Sequence, residues 1–132
     1  MLKWIICVVM AKVTYNQQIK IVAPYEEGPE PCALICAGTT GIGTTKWMKS
    51  SGPDFISVTI DMSNCGFVSA PIVSTVLTGD GYTRSVTGTS GIYGLTNKKF
   101  LIVPTRMYNY DLYERAIELK WRVDWQAVGF VC

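Results

Sequence analysis

The stretch that decides the fold is Lys120-Trp121-Arg122-Val123-Asp124-Trp125-Gln126-Ala127-Val128, near the C-terminus. Polar and apolar side chains alternate from Lys120 to Ala127, and the apolar set contains the two tryptophans of this stretch. Successive side chains of a strand point to opposite faces of a sheet, so this period of two is typical of a strand with one buried face. We predict a strand here, and we expect the face that carries Trp121, Val123 and Trp125 to lie in the core.

Shorter segments with strand character precede this one along the chain. Ile56, Val58 and Ile60 share one side of a predicted strand Asp54–Asp61, which Lys49–Pro53 joins to Thr44–Met48 as a hairpin. Further strands are predicted at Pro71–Leu77, Thr83–Thr89 and Phe100–Val103, and a one- to two-turn helix at Asp111–Leu119. Strands at this spacing, without long helices between them, are typical of an antiparallel sandwich. The predicted fold is an all-β, antiparallel six- to seven-stranded β-sandwich with one short helix before the last strand.

Composition narrows the class of function. The 132 residues are 48% hydrophobic and only 17% charged, which argues against disorder and fits one domain with a real core. The net charge of +2, carried by scattered basic residues, argues against a nucleic-acid partner. The chain has no histidine, which is the commonest general base and metal ligand. We therefore expect no catalytic residues, no cofactor and no metal.

The N-terminus has the pattern of a targeting signal. A lysine precedes the short apolar run Trp4–Ala11, and Val9-Met10-Ala11 is an acceptable cleavage site. The run is far shorter than the roughly 20 residues that span a bilayer, so we expect no membrane span. Residues 1–11 are thus a candidate signal peptide. The alternative is a buried N-terminal strand that carries a free Cys7.

The next segment separates this run from the compact domain. Lys12–Val22 alternates loosely and could be a strand or a tail. Pro24–Pro31 contains three prolines and three glutamates, a composition that suits a linker and not a sheet. We place the compact domain at residues 32–132.

Four cysteines remain once residues 1–11 are removed, and two disulfides indicate an oxidising, extracellular compartment. If antiparallel pairing continues outward from the turn at Lys49–Pro53, Cys65 comes within reach of Cys36. That pairing leaves Cys32 for Cys132 and joins the two ends of the domain. Four cysteines allow three pairings in principle.

Two apparent enzyme motifs do not meet their requirements. The Gly- and Thr-rich stretch Gly38–Lys46 resembles a phosphate-binding loop, but its spacing fits neither the Walker pattern nor a dinucleotide fingerprint. Carboxylates such as Asp54 and Asp61 could serve as a glycosidase pair, yet no two lie in a recognisable motif. We interpret the first as a loop and the second as polar strand faces.

The segment Arg106–Tyr113 is the best candidate for binding. It holds three tyrosines, an asparagine, an aspartate and an arginine within eight residues. Aromatic faces stack on sugars or peptides, and polar groups fix the orientation of the ligand. The alternative is that the tyrosines only cap the core. Turn Gly79-Asp80-Gly81 could lie at the same end of the sandwich. The predicted ligand-binding residues are Asp80, Tyr82, Arg84, Arg106, Tyr108, Asn109, Tyr110 and Asp111.

The C-terminal half resembles the H-type lectins. In Phe67–Val73 a phenylalanine and a proline precede the first core strand, and Val123–Gly129 matches the closing hydrophobic-x-Trp-x-Ala-x-Gly pattern of that family. The resemblance implies a six-stranded antiparallel sandwich, trimeric assembly and galactose-type sugars bound between subunits. Arg84 falls near the family's strand arginine. Met107 and Tyr108 stand where the family has its sugar-stacking tryptophan.

The predicted function is a secreted, non-enzymatic, lectin-like module that binds a glycan or glycoprotein as a homo-oligomer, a trimer or larger. The alternative is a structural or assembly protein of an extracellular matrix, coat or filament. The linker Tyr25–Pro31 and the strand-like Lys12–Val22 favour this alternative somewhat, because a detached N-terminal strand can pair with a neighbour's sheet edge. A small secreted enzyme is a third hypothesis.

Overall fold

A computed structural model of the chain describes Ile19–Val22 and residues 33–132, and it confirms an antiparallel β fold with one helix before the last strand. Every strand pair among these residues is antiparallel. The strands are β1 (Ile19–Val22), β2 (Ala33–Thr39), β3 (Met48–Lys49), β4 (Ile56–Asp61), β5 (Ile72–Thr78), β6 (Val86–Thr87), β7 (Ile92–Tyr93), β8 (Lys99–Ile102), β9 (Thr105–Arg106) and β10 (Arg122–Phe130). The helix α1 spans Leu112–Glu118, and two short 3-10 helices span Ser63–Cys65 and Thr83–Ser85.

The described strands form two four-stranded sheets and one two-stranded ribbon. The first sheet has the order β1-β2-β10-β5, the second has the order β3-β4-β8-β7, and β6 pairs with β9. The central strand β10 is the predicted alternating strand, paired on both sides: Trp125 lies opposite Gly38 of β2 and Thr75 of β5. The long uninterrupted pattern of this strand therefore corresponds to the centre of a sheet.

The core lies between the two large sheets. Trp121, Val123 and Trp125 are buried, as the alternation predicted. Phe100 of the second sheet meets Trp125 of the first edge-on, with ring centroids 6.2 Å apart. The Trp47 indole N–H donates to the Trp121 carbonyl at 3.0 Å, so the Trp47 ring is fixed by both packing and hydrogen bonding.

The hairpin predicted around Lys49–Pro53 is present, since β3 pairs with β4. Its first strand is only two residues long. The strand predicted at Thr83–Thr89 is wrong for its first half, where Thr83–Ser85 is a 3-10 helix. The Ser85 N–H and hydroxyl both donate to the Tyr82 carbonyl, at 2.9 and 2.6 Å, and these bonds close a tight turn where the alternation of side chains suggested extension.

The number of strands also differs from the prediction of six to seven. Six of the ten described strands have four or more residues, and the other four have two. The strands predicted at Thr44–Met48 and Thr83–Thr89 are too long, since only Met48–Lys49 and Val86–Thr87 are extended there, and the seven-residue β2 was not predicted. The long strands are β1, β2, β4, β5, β8 and β10.

The predicted disulfide between Cys36 and Cys65 is present, with Cα atoms 5.9 Å apart. The route by which it was predicted is wrong, because Cys36 lies in β2 of the first sheet and does not belong to the hairpin of Cys65. The bond instead ties the first sheet to the segment that follows β4 of the second, and both sulfur-bearing residues are buried.

A turn at the end of β4 positions the second cysteine. The Ser63 backbone N–H donates to the Asp61 carboxylate at 2.8 Å. Hydrogen bonds from the Ser63 side chain and backbone lower the pKa of Asp61 below its ordinary value of 3.8. Because charged Asp61 accepts these bonds, it stabilises the start of the 3-10 helix that carries Cys65.

Cys132 is also disulfide-bonded. Its predicted partner Cys32 lies outside the described residues, as do Cys7, the candidate signal peptide at residues 1–11 and the linker Pro24–Pro31. Strand β1 falls within Lys12–Val22, for which the sequence allows either a strand or a tail, and it pairs with β2.

Candidate ligand-binding site

The first part of the candidate site is the turn after β5. Tyr82 has a φ of 57°, the left-handed region that a bulky side chain rarely adopts. Neighbouring groups hold this conformation: the Trp121 indole N–H donates to the Gly81 carbonyl at 2.9 Å, and Ser85 donates to the Tyr82 carbonyl. The side chain of Tyr82 is nevertheless 60% exposed. The fold therefore directs the Tyr82 ring into solvent, although the backbone conformation of this residue is unfavourable.

Arg106 organises the second part. Its guanidinium donates to the Asp54 carboxylate at 2.8 Å, to the Tyr110 carbonyl at 2.8 Å and to the Asn109 side-chain oxygen at 3.3 Å. The strand pair β6–β9 places Arg106 opposite Val86. The role of Arg106 is therefore to fix the loop 106–110 beside the turn that carries Tyr82.

The two parts meet at Tyr110. Its hydroxyl lies 2.6 Å from the Ser85 hydroxyl and donates to the Ser85 carbonyl at 2.9 Å. The guanidinium carbon of Arg115 lies 5.1 Å from the Tyr110 ring centroid and 5.2 Å from that of Tyr82. Arg115 on α1 thus links both rings by cation–π contacts. We call Tyr82, Tyr110 and Arg115 the tyrosine–arginine cluster.

Asp111 has a local role in the helix. It is the N-cap of α1, and its carboxylate accepts the Glu114 backbone N–H at 3.0 Å. Its other oxygen lies 3.8 Å from the Lys49 ammonium. The cap satisfies one of the free N–H groups at the helix start, and the carboxylate suits the positive end of the helix.

The predicted residues thus divide into two groups. Arg106, Asn109, Tyr110 and Asp111 are engaged with other side chains or backbone groups of this chain. The other four predicted residues are exposed. Among the described residues their side chains have no hydrogen-bonding or ionic partner, apart from the contact of the Tyr82 ring with Arg115. These exposed residues are Asp80, Tyr82, Arg84 and Tyr108.

Sequence reasoning missed Arg115, Ser85 and Asp54. Arg115 lies one helical turn after Asp111, so its proximity to the loop 106–110 could have been inferred from the predicted helix. Its contact with Tyr82 has no local signal, because the two residues are far apart in sequence. Ser85 belongs to the predicted strand Thr83–Thr89, whereas in the structure it ends the 3-10 helix Thr83–Ser85.

Within the described ranges, residues 19–22 and 33–132, no group of three or more cysteine or acidic side chains is placed to hold a metal ion. No helix in the same ranges is long and apolar enough to cross a bilayer. In comparisons with protein families, with characterised proteins and with solved structures, nothing matches this chain. The resemblance to the H-type lectins stays a prediction.

Proposed function

We propose that this chain is a secreted, non-enzymatic domain that binds glycans or glycoproteins, as the resemblance to the H-type lectins implies. The proposal gives Tyr82 the role of the stacking surface. Asp80, Arg84 and Tyr108 supply polar and aromatic contacts around it, and the domain acts as a homo-oligomer, a trimer or larger. Arg106, Asn109, Tyr110 and Asp111 act indirectly, since they shape the loop and the start of the helix.

The observation that carries the proposal is the conformation of Tyr82. A positive φ at an aromatic residue costs free energy, and such strain persists where the surroundings over-determine it. Here the strain places a ring outward, 60% exposed, against the Arg115 guanidinium. A flat ring that is already immobilised loses little entropy when a sugar stacks on it, which favours binding.

The groups around Tyr82 suit a neutral, hydroxyl-rich ligand. The Asp80 carboxylate accepts hydrogen bonds and the Arg84 guanidinium donates them, so adjacent sugar hydroxyls could be engaged from both directions. Tyr108 is 64% exposed and offers a second aromatic surface. The opposite charges of Asp80 and Arg84 favour a neutral ligand over a strongly anionic one.

The extracellular location rests on separate support. Cys36 and Cys65 form a disulfide, and Cys132 is also disulfide-bonded. Disulfides persist mainly in oxidising compartments. The apolar N-terminal run has the composition of a signal peptide.

The proposal is tested with the variant Tyr82→Gly on a glycan array and by titration with galactose. Glycine adopts a positive φ without strain, so this change removes the ring while the fold should keep or gain stability. We expect affinity to fall about 10- to 100-fold, by analogy with aromatic platforms whose stacking contributes about 1–3 kcal/mol.

The matched control is Tyr93→Ala, which removes another exposed tyrosine, on β7 of the second sheet. It should leave glycan affinity unchanged. Folded wild type that binds no glycan would refute the proposal, and so would Tyr82→Gly protein that binds as tightly as wild type.

A second candidate function, an assembly protein of a matrix, coat or filament, is supported by the outer face of the first sheet. Val128 lies opposite Ile35 on one side and Ile72 on the other, and all three are exposed. Contiguous exposed apolar side chains are typical of protein–protein contacts. Concentration-dependent polymers without glycan binding would favour this function over the first.

A further inference from the structure

Strand β5 lies at one end of the first sheet, with a partner on one side only. It pairs with β10 along its full length, and β10 continues to β2 on its other side. Among the described residues, Ile72–Thr78 makes no further backbone hydrogen bonds. One side-chain bond, from the Thr75 hydroxyl to the Thr89 carbonyl, reaches the neighbouring loop. The outer edge of β5 thus presents backbone N–H and C=O groups that no described strand satisfies.

This edge lacks the devices by which proteins protect edge strands. Short length, charged side chains, prolines and bulges normally prevent pairing with another chain. The edge strands β3 and β7 of the second sheet have two residues each, and β1 carries Lys20. In contrast, β5 has seven residues, Ile-Val-Ser-Thr-Val-Leu-Thr, with no charge, proline or glycine. It is the one described edge strand that is both long and uncharged.

The outward side chains of β5 are self-complementary in an antiparallel arrangement. Ile72 is 81% and Val76 is 61% exposed, and Ser74 between them is also exposed. If Ser74 lies opposite Ser74 of a second copy, each Ile72 faces Val76 of the other chain. Two symmetric apolar cross-strand pairs then form on one face, at positions where direct neighbours contribute to sheet stability.

We propose that β5 pairs with β5 of a second copy about a two-fold axis through Ser74, joining two first sheets into one eight-stranded sheet. The contact is isologous, so one surface serves both chains. It supplies partners for the open backbone groups and covers Ile72 and Val76. This pairing does not depend on glycan binding, and it gives the assembly function a specific contact.

The choice of a second copy rests on the chemistry of the strand. An uncharged edge offers no ionic basis for selecting a foreign acidic or basic peptide, whereas the Ile72–Val76 spacing matches its own antiparallel copy. The two-fold contact could also join trimers in pairs, so it predicts assemblies with an even number of chains.

The first experiment compares Ser74→Lys with Gln126→Lys in the full chain. Ser74→Lys places two like charges opposite each other at the axis, which is destabilising for cross-strand neighbours. Gln126 is equally directed outward and lies opposite Ser74 on β10, one strand away from the edge. Mass is measured by light scattering over a range of concentrations, and folding by melting curves.

We expect wild type and Gln126→Lys to form dimers or larger even-numbered assemblies. Ser74→Lys should stay folded and melt cooperatively, lower than wild type only by the lost stabilisation of the dimer, and it should weaken the pairing at least tenfold in dissociation constant. If Gln126→Lys dissociated the assembly as strongly as Ser74→Lys, the copies would associate through the outer faces of their first sheets and not through the edge of β5. That result would overturn the proposal. A monomeric or strictly trimeric wild type would also overturn it.

A second variant gives a positive readout. Ser74→Cys would place two thiols opposite each other in an antiparallel pair, where Cα atoms are about 4.5–5.5 Å apart and within disulfide range. With oxidised glutathione as oxidant, we expect a covalent dimer on a non-reducing gel. Gln126→Cys and wild type should show none. Failure of Ser74→Cys to cross-link would refute the pairing even if Ser74→Lys did not fold, and none of these readouts involves Tyr82.

Discussion

Two glycines permit the close approach of tryptophan rings to the backbone. A Cβ added at Gly38 would lie 2.6 Å from Cζ2 of Trp125, and one added at Gly79 would overlap Cδ1 of Trp121. The backbone conformation at both positions is open to any residue, since neither φ falls in the left-handed range. Lack of space for a side chain therefore explains the glycines, and each marks a place where the core extends to the backbone of β2 or of the turn after β5.

Gly38→Ala should therefore destabilise the fold. The added methyl group must displace a buried tryptophan ring, and overpacking of a core typically costs about 1–3 kcal/mol. Gly52 is the matched control, because a Cβ there meets nothing within 4 Å. Both changes reduce the entropy of the unfolded chain similarly, by about 0.4–1 kcal/mol. Urea unfolding should show a loss for Gly38→Ala and little change or a small gain for Gly52→Ala; equal stability of the two variants would contradict this packing.

At the scale of elements, the helix α1 is short and depends on its first turn. An isolated seven-residue helix is unstable in water, so α1 requires packing and capping. Leu112 and Ala116, one turn apart, are buried in the core, and Asp111 caps the start. On the same helix Arg115 contacts Tyr82 and Tyr110. Weakening the cap would therefore disturb the tyrosine–arginine cluster as well as the helix.

Asp111→Ala is predicted to lower the free energy of unfolding by about 1 kcal/mol, the typical loss for a removed N-cap. Asp111→Asn keeps a capping oxygen and removes only the charge near Lys49, 3.8 Å away, where an exposed pair contributes about 0–1 kcal/mol. Chemical denaturation should rank wild type and Asp111→Asn close together, with Asp111→Ala below both. If Asn were as harmful as Ala, the ion pair would be the stabilising contact and the cap would not.

At the scale of the whole molecule, the Cys36–Cys65 bond and the aromatic core connect the two sheets. The bond closes a sequence separation of 29 residues that contains the whole β3–β4 hairpin. Phe100 and Trp125 connect the sheets again by packing. The relative position of the sheets is thus fixed both covalently and by burial.

The double variant Cys36→Ala/Cys65→Ala should lower the free energy of unfolding by about 3–4 kcal/mol, from the loop-closure entropy of the unfolded chain. Denaturant unfolding of the oxidised proteins measures this loss. Wild type in a strong reductant is the control. The difference in free energy of unfolding between this reduced wild type and the equally reduced double variant measures the packing contribution of the two sulfur atoms alone. A loss below about 1 kcal/mol would mean that the core alone holds the sheets together.

The candidate site shows how far sequence reasoning extends. From the sequence, the turn Gly79–Gly81 could lie at the same end of the sandwich as the segment Arg106–Tyr113, and in the structure Tyr110 of that segment contacts Ser85, four residues after the turn. The internal roles of Arg106 and Asp111 were not anticipated, because composition reveals which groups are present and gives no information on which partners they find. Exposure distinguishes Tyr82 from Tyr110, and exposure is a property of the packed chain.

The sequence by itself determined the features that depend on near neighbours. Alternation identified β10 and its buried face, and the helical spacing within Asp111–Leu119 identified α1, because both periods are set by neighbours a few residues apart. Only the tertiary structure decided that Cys36 and Cys65 meet across two sheets, that Tyr82 takes a left-handed backbone, and that β5 is left at an edge. These outcomes depend on which distant segments pair, and that choice is made by the packing of the whole core and leaves no periodic trace in any single segment.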